Sequence, residues 1–86
     1  MIDGSSSEEQ VLAAVRTTFD ELFEIPPEDV HLHSKLYEEL DLDSLDAADM
    51  RAQLQEVAGR QISEALFQDV KTVDDVVQLL LNVVKG

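Results

Sequence analysis

A serine hydroxyl stands among carboxylates in the middle of the chain. The stretch EELDLDSLDAADM, residues 38–50, holds Ser44, six acidic residues and no basic one. Asp43 is a favourable N-cap, and Asp46 has the spacing of a capping-box partner, so a helix is predicted to begin at Ser44. Because Asp43 fills the cap position, the Ser44 hydroxyl is spare. It lies at the positive end of the predicted helix, where a phosphodiester would be tolerated even among acids.

The helix predicted for residues 44–58, with Gly59 just beyond its end, has two distinct faces. At about 100° per residue, one stripe is apolar and is expected to face the core: Ala47, Met50, Leu54, Val57 and Ala58. The opposite face carries small residues, acids and one leucine: Leu45, Ala48, Asp49, Ala52 and Glu56. Small residues let another surface approach, and Leu45 offers it an apolar anchor. This face is predicted to dock another protein, although single surface leucines also occur without a function.

Three further segments show helical spacing. The first runs over residues 8–23, where Ser5 with Glu8 and Ser6 with Glu9 have capping-box spacing. A short helix is predicted within ISEALFQ, residues 62–68, and a last one begins after a Thr72–Asp75 cap. Between the first two helices, Pro26 and Pro27 open a long connection over residues 25–43. Its expected core anchors are Val30, Leu32, Leu36, Tyr37 and Leu40, and the short helical segment adds Ile62, Leu66, Phe67 and Val70.

These segments predict an all-α fold, a four-helix bundle with three longer helices, one short helix and a long first loop. At 86 residues the chain is expected to form one domain over 1–86, with residues 1–6 flexible at its start.

The acidic charge narrows the classes of partner. Nineteen acids against six bases give a net charge of −13, which disfavours nucleic acid and anionic membranes and favours basic protein surfaces. The chain has no cysteine, so it offers no disulfide, thiol nucleophile or cysteine metal site. No long apolar run or leader is evident. We expect a cytoplasmic, monomeric protein.

The segment DSLDAADM resembles the Asp-Ser-Leu modification motif of acyl carrier proteins. The resemblance extends from about residue 7 to residue 84, through PPEDVHLHSKLYEELDLDSLD and QISEALFQDVKTVDDVVQLL. An isolated Asp-Ser-Leu is common by chance. At a helix start, mid-chain, in an acidic sequence of this length with four predicted helices, it is specific.

This resemblance implies a carrier rather than an enzyme. Ser44 would hold a 4′-phosphopantetheine arm, and Asp43 and Leu45 would flank it. A phosphopantetheinyl transferase would transfer this arm from coenzyme A in the presence of Mg²⁺. Acyl-transferring and ketosynthase-type enzymes with basic docking surfaces would read the second helix. The implied docking residues are Asp46, Ala48, Asp49, Ala52 and Glu56. The implied lining of an acyl chamber is Met50, Leu54, Phe67, Val70 and Val76.

Several positions depart from the common fatty-acid carrier pattern. Asp41 stands where glycine is usual, Ala48 and Ala52 replace larger apolar residues, and Arg51, Gln53 and Gln55 also differ. These departures favour a carrier in polyketide-like or other secondary lipid synthesis over the housekeeping fatty-acid carrier. A carrier of aminoacyl groups is a further alternative, although such carriers usually show glycine and histidine before the serine. The sequence does not identify the acyl group.

Three other readings of the sequence are open. Ser44 with His31 or His33 and an acid could be drawn as a catalytic triad, but no nucleophile-elbow pattern is present. Asp41, Asp43 and Asp46 lack the spacing of a calcium loop, so no specific metal site is predicted, and the open alternative is loose, nonspecific binding of divalent cations by the clustered acids. An acidic helical adaptor without a prosthetic group would keep the fold and docking face and leave Ser44 a plain helix-start residue.

Overall fold

The computed structural model describes residues 2–85 and contains four α-helices in this range. They are α1 (Glu8–Phe23), α2 (Ser44–Ala58), α3 (Glu64–Gln68) and α4 (Val73–Lys85), and a 3₁₀ turn covers Pro27–Asp29. The predicted all-α bundle with one short helix and a long first loop is confirmed. None of these helices is both long and apolar enough to cross a membrane.

The start of α1 lies where the sequence predicts, but its cap is a different serine. Ser7 Oγ accepts from the Gln10 N–H at 3.2 Å, and Gln10 Oε1 accepts from the Ser7 N–H at 2.8 Å. The expected boxes of Ser5 and Ser6 are therefore wrong. The reason is Asp3, whose carboxylate accepts from both the N–H and the hydroxyl of Ser5, while its N–H donates to Ser6 Oγ.

The first residues also contribute to the core. Ile2 is buried, and its N–H donates to the Val57 carbonyl at 3.3 Å. This contact was not anticipated from the sequence, and the flexibility expected for residues 1–6 remains a prediction. Met1 and Gly86, at the two ends of the expected 1–86 domain, lie outside the described residues.

A continuous apolar core lies between α1, α2 and α4. Its fully buried large side chains include Phe19, Leu36, Met50, Leu54, Ile62 and Leu80. Two expected anchors are wrong: Tyr37 is 41% exposed and Leu66 is 54% exposed. In the five-residue α3, Phe67 occupies the inward position, so its neighbour Leu66 faces solvent.

The long first loop is held against the start of α4 by backbone hydrogen bonds. The Leu36 N–H donates to the Lys71 carbonyl at 2.9 Å, and the Val73 N–H donates to the Ser34 carbonyl at 3.0 Å. Arg16 Nε adds a bond to the Val30 carbonyl at 2.9 Å. With Val30 and Leu36 fully buried, the loop packs over the core and leads the chain to α2.

The cap of α4 predicts a pH-dependent contribution to stability. Hydrogen bonds from the N–H groups of Lys71 and, to a smaller degree, Thr72 hold the pKa of Asp75 below its ordinary value of 3.8. We expect Asp75→Ala to lower the free energy of unfolding by about 1 kcal/mol at neutral pH. Because the folded pKa is depressed, this contribution is present above pH 3.8 and is lost as pH falls through the folded value.

Urea unfolding of both proteins across the acidic range measures this contribution. Asp74→Ala is the matched control, because it removes a neighbouring carboxylate whose bond is a long 3.3 Å contact from Gln78 Nε2. The control should change stability by less than about 0.5 kcal/mol. A difference between wild type and Asp75→Ala that persists undiminished in strong acid would contradict the role assigned to the carboxylate.

Candidate functional site

The predicted capping box at the start of α2 is present. Asp43 Oδ1 accepts from the Asp46 N–H at 2.9 Å, and Asp46 Oδ2 accepts from the Asp43 N–H at 3.2 Å. The Asp43 carbonyl then accepts from the Ala47 N–H at 2.9 Å. These bonds fix the first turn without any contribution from the Ser44 side chain.

Ser44 is exposed at the first position of α2. Within residues 2–85 its hydroxyl has no hydrogen-bond partner, and the N–H groups of Ser44 and Leu45 have no acceptor. A helix start of this kind favours an anion, because unpaired N–H groups and the helix dipole point toward it. An accessible hydroxyl and two donors suit a phosphodiester attached at this serine.

The residue before this turn has an unusual backbone. Asp41 has φ = 57°, the left-handed region that glycine enters most easily. In the common fatty-acid carrier pattern, glycine is usual at this position. Aspartate tolerates the conformation better than most residues, so the turn is retained and gains a carboxylate close to Ser44 along the chain.

The outer face of α2 is open to solvent. Leu45 is 75% exposed, the largest exposed fraction among the large apolar side chains of residues 2–85. Ala48, Asp49, Ala52 and Glu56 are also exposed. Asp46 is half-buried and closes the capping box, so its carboxylate has a structural role besides any role in docking.

A surface pocket of about 550 Å³ opens beside Ser44, between α2 and α3. Its lining combines apolar, aromatic and polar side chains: Tyr37, Ser44, Ala47, Ala48, Arg51, Glu64, Phe67 and Gln68. Tyr37, which is exposed, is one of the residues that line this pocket. The serine therefore lies at the edge of a space that could hold a small organic group.

The residues expected to line an acyl chamber lie mostly elsewhere. Met50, Leu54, Val70 and Val76 are buried in the core and do not line the pocket. Phe67 is the one that lines it, with its side chain largely buried. A chamber bounded by all five remains a prediction.

Arg51 and Gln55 hold the segment that leads into α3. Arg51 Nη1 donates to the Ile62 carbonyl at 2.7 Å, and Gln55 Oε1 accepts from the Ile62 N–H at 2.8 Å. Arg51 Nη2 also lies 3.6 Å from Glu64 Oε1. The sequence marked Arg51 and Gln55 only as departures from the common carrier pattern, and it did not predict that both bind Ile62. Its signal is the spacing of two polar residues four apart at the edge of an apolar stripe.

The two histidines are not brought to Ser44. Their rings stack on each other, with centroids 5.4 Å apart and planes 5° from parallel. They line a separate pocket, together with Glu24, Asp29 and Glu39, and that lining does not include Ser44. The drawn triad therefore has no geometric support. A search of residues 2–85 finds no group of three histidine, cysteine or acidic residues that could hold a metal ion.

Comparisons with known proteins point to one family. A family model described as the phosphopantetheine attachment site matches residues 13–80. Acyl carrier protein 2 of Ralstonia nicotianae is 45% identical over 71 residues, covering 83% of this chain and 88% of that protein. The acyl carrier protein of Phytoplasma australiense is 33% identical over 67 residues, covering 78% of this chain and 88% of that protein.

A solved structure has the same fold. The solution structure of the apo doublet acyl carrier protein from prodigiosin biosynthesis matches with a TM-score of 0.75 and 25% identity. The match covers 87% of this chain and 36% of that chain, so this protein spans about a third of the doublet's length.

The crowding of carboxylates before and within α2 predicts that salt stabilises the fold. Residues 17–50 contain eleven acids and one lysine, Lys35, which lies 3.3 Å from Glu38. Mutual repulsion should be screened by salt, so we expect the melting temperature to rise from low to high sodium chloride and with millimolar Mg²⁺. Asp41→Asn is the matched variant, because asparagine also tolerates positive φ. It should be more stable than wild type at low salt, and its advantage should shrink as salt rises. A flat melting temperature would mean that the acids are locally compensated.

Proposed function

The chain belongs to the acyl carrier protein family, and from that premise we propose that Ser44 is the residue that carries its 4′-phosphopantetheine group. Proteins of this family carry acyl groups on that covalently attached group. The observation that supports Ser44 is its exposed hydroxyl at the start of α2, without a partner in residues 2–85 and inside the matched range 13–80.

The chemistry divides between the group and the chain. When attached, phosphopantetheine supplies a terminal thiol that holds acyl groups as thioesters. The chain has no cysteine and so no thiol of its own. In the modification, Ser44 Oγ forms a bond to the phosphorus of coenzyme A that carries pantetheine. The pyrophosphate bond breaks, and the nucleotide half leaves with the electron pair. The serine proton passes to a base of the transferase or to water. The N–H groups of Ser44 and Leu45 are available as donors to the phosphodiester.

The outer face of α2 is the proposed docking surface. Carrier proteins of this family meet a phosphopantetheinyl transferase and biosynthetic enzymes. We propose that acyl-transferring and ketosynthase-type enzymes approach with a basic rim that pairs with Asp49 and Glu56, while Leu45 enters an apolar recess. Ala48 and Ala52 leave room between these contacts. Charge at the rim mainly sets the rate of association, and the buried anchor mainly sets the rate of dissociation.

A specialised pathway is favoured over housekeeping fatty-acid synthesis. One structural neighbour is a carrier from prodigiosin biosynthesis, and Asp41, Ala48 and Arg51 depart from the common fatty-acid pattern. We propose a polyketide-like or secondary lipid role, in the cytoplasm, where coenzyme A and the transferase are found. Within this role, Phe67 both lines the pocket and belongs to the buried core with Met50, Leu54, Val70 and Val76. It would therefore limit how deeply an acyl chain enters.

Modification of Ser44 is tested by intact mass. The apo-protein is incubated with coenzyme A, Mg²⁺ and a transferase of broad specificity. We expect a gain of one phosphopantetheine in the wild type and no gain in Ser44→Ala. Ser63→Ala is the matched control, because it removes a serine hydroxyl at the start of the neighbouring helix α3 and should leave the gain unchanged. An unmodified wild type, under conditions that convert a known carrier, would favour an adaptor without a prosthetic group.

The docking surface is tested by the rate constant of that modification at several ionic strengths. Asp49→Lys should slow the transferase by up to roughly an order of magnitude at low salt, with the defect shrinking at high salt. Asp20→Lys is the control, since it makes the same charge change on α1. Asp46 is left unchanged because its carboxylate closes the capping box. If Asp49→Lys reacts as fast as Asp20→Lys at low salt, the acids of α2 serve solubility and do not steer partners.

The apolar anchor is measured in the stability of the transferase complex. Leu45→Ala should weaken it by about 1–3 kcal/mol with little dependence on salt. The fold should be unaffected because the side chain is exposed. Equal affinity of the variant and wild type would remove Leu45 from the docking surface.

A further inference from the structure

The pocket beside Ser44 has a largely apolar wall with several polar groups that a hydrocarbon chain would not satisfy. Ala47, Ala48 and Phe67 give it apolar surface, but Tyr37, Arg51, Glu64 and Gln68 line it as well. A fully saturated chain would displace water from these groups without replacing the lost hydrogen bonds, which carries a desolvation cost. The lining therefore suits a group that combines carbon skeleton with oxygen acceptors.

Arg51 is the strongest donor on this wall. A guanidinium has five N–H donors, of which the Ile62 carbonyl takes one and Glu64 lies near a second. The Arg51 side chain is 26% exposed, so the remaining donors are partly shielded from water. Its ion pair with Glu64 is weak competition, because the Glu64 side chain is 81% exposed and the N–O distance is 3.6 Å.

The position of Arg51 also fits a chain attached at Ser44. The two residues are seven positions apart on α2, which places them on the same side of the helix about two turns apart. Both line the pocket. The bond to the Ile62 carbonyl anchors the guanidinium, so its other donors are held in place at little further cost in entropy.

We propose that Arg51 makes this carrier selective for acyl chains that bear an oxygen beyond the thioester carbonyl, such as 3-oxoacyl chains, over fully saturated chains. The guanidinium donates to the 3-oxo oxygen while the chain lies against Ala47, Ala48 and Phe67. This inference rests on the proposed attachment at Ser44. It adds the substrate class, unreduced acyl intermediates, and names a residue that positions them.

Two variants separate the pocket wall from the hold on α3. Arg51→Met removes the donor from the wall and also removes one of the two bonds to Ile62. Gln55→Met removes the other bond to Ile62, but Gln55 does not line this pocket. Both variants therefore lose one hydrogen bond to Ile62, but only Arg51→Met also removes a donor from the pocket.

The experiment measures how well the folded protein protects its thioester. Each protein is loaded enzymatically with hexanoyl- or 3-oxohexanoyl-phosphopantetheine, and intact mass first verifies one acyl-phosphopantetheine per chain. Hydrolysis to the free thiol is then followed by mass. Protection is the hydrolysis rate of the thioester on free pantetheine divided by its rate on the protein. This ratio cancels the intrinsic reactivity of the two acyl groups. Circular dichroism checks that the variants are helical.

Wild type should protect the 3-oxohexanoyl group about tenfold more than the hexanoyl group, as one hydrogen bond to a charged donor would supply. Arg51→Met should bring this ratio close to one, and Gln55→Met should keep it even if both protections fall. Equal protection of the two groups by wild type overturns the proposal. This result does not depend on whether the variants fold. It is also overturned if both variants change the ratio alike, or if Arg51→Met lowers both protections equally, because Arg51 would then serve α3 or the arm. A wild type that gains no mass contradicts the attachment at Ser44 itself, and this proposal with it.

Discussion

The reciprocal bonds between Asp43 and Asp46 are the interaction on which the proposed site depends. Each carboxylate accepts a backbone N–H of the other residue, so the first turn of α2 is closed before Ser44 is needed. A serine at the cap position would have its hydroxyl engaged, as Ser7 has at the start of α1. Moving the cap one residue earlier leaves the Ser44 hydroxyl exposed and its N–H unpaired, at the end of the helix that favours an anion.

The start of α2 is fixed by the loop before it as much as by its cap. Leu36 is buried and bonded to the Lys71 carbonyl, and the Leu42 N–H donates to the Leu36 carbonyl at 3.1 Å. Leu42 is itself buried, just before the cap. The left-handed turn at Asp41 lies between these anchors. The loop thus links the start of α2 to the segment that leads into α4.

The sequence predicted the parts of this structure that depend on local chemistry. The bounds of α1 and α2, the Asp43–Asp46 box and the open outer face of α2 follow from capping residues and helical periodicity. The errors arise where two residues compete for one position or partner. Asp3 takes Ser5 and Ser6 away from the cap of α1, Tyr37 turns outward to form a pocket wall, and Leu66 yields the inner position to Phe67. Periodicity within one segment does not report on these competitions.

The hold of Arg51 and Gln55 on Ile62 gives α2 a second task. A helix of five residues has little stability of its own, so the position of α3 depends on tertiary contacts. Phe67 and Val70 anchor it to the core, and the Ile62 peptide ties its approach to α2. The pocket beside Ser44 is therefore bounded on one side by α2 and on the other by a wall that α2 itself fixes. Because Arg51 lies off the outer face that carries Leu45 and Asp49, a change at this position can alter what the pocket accepts while those two docking residues stay the same. The departure from the common carrier pattern at Arg51 is then expected to tune the cargo, whereas the transferase reads the start of the helix.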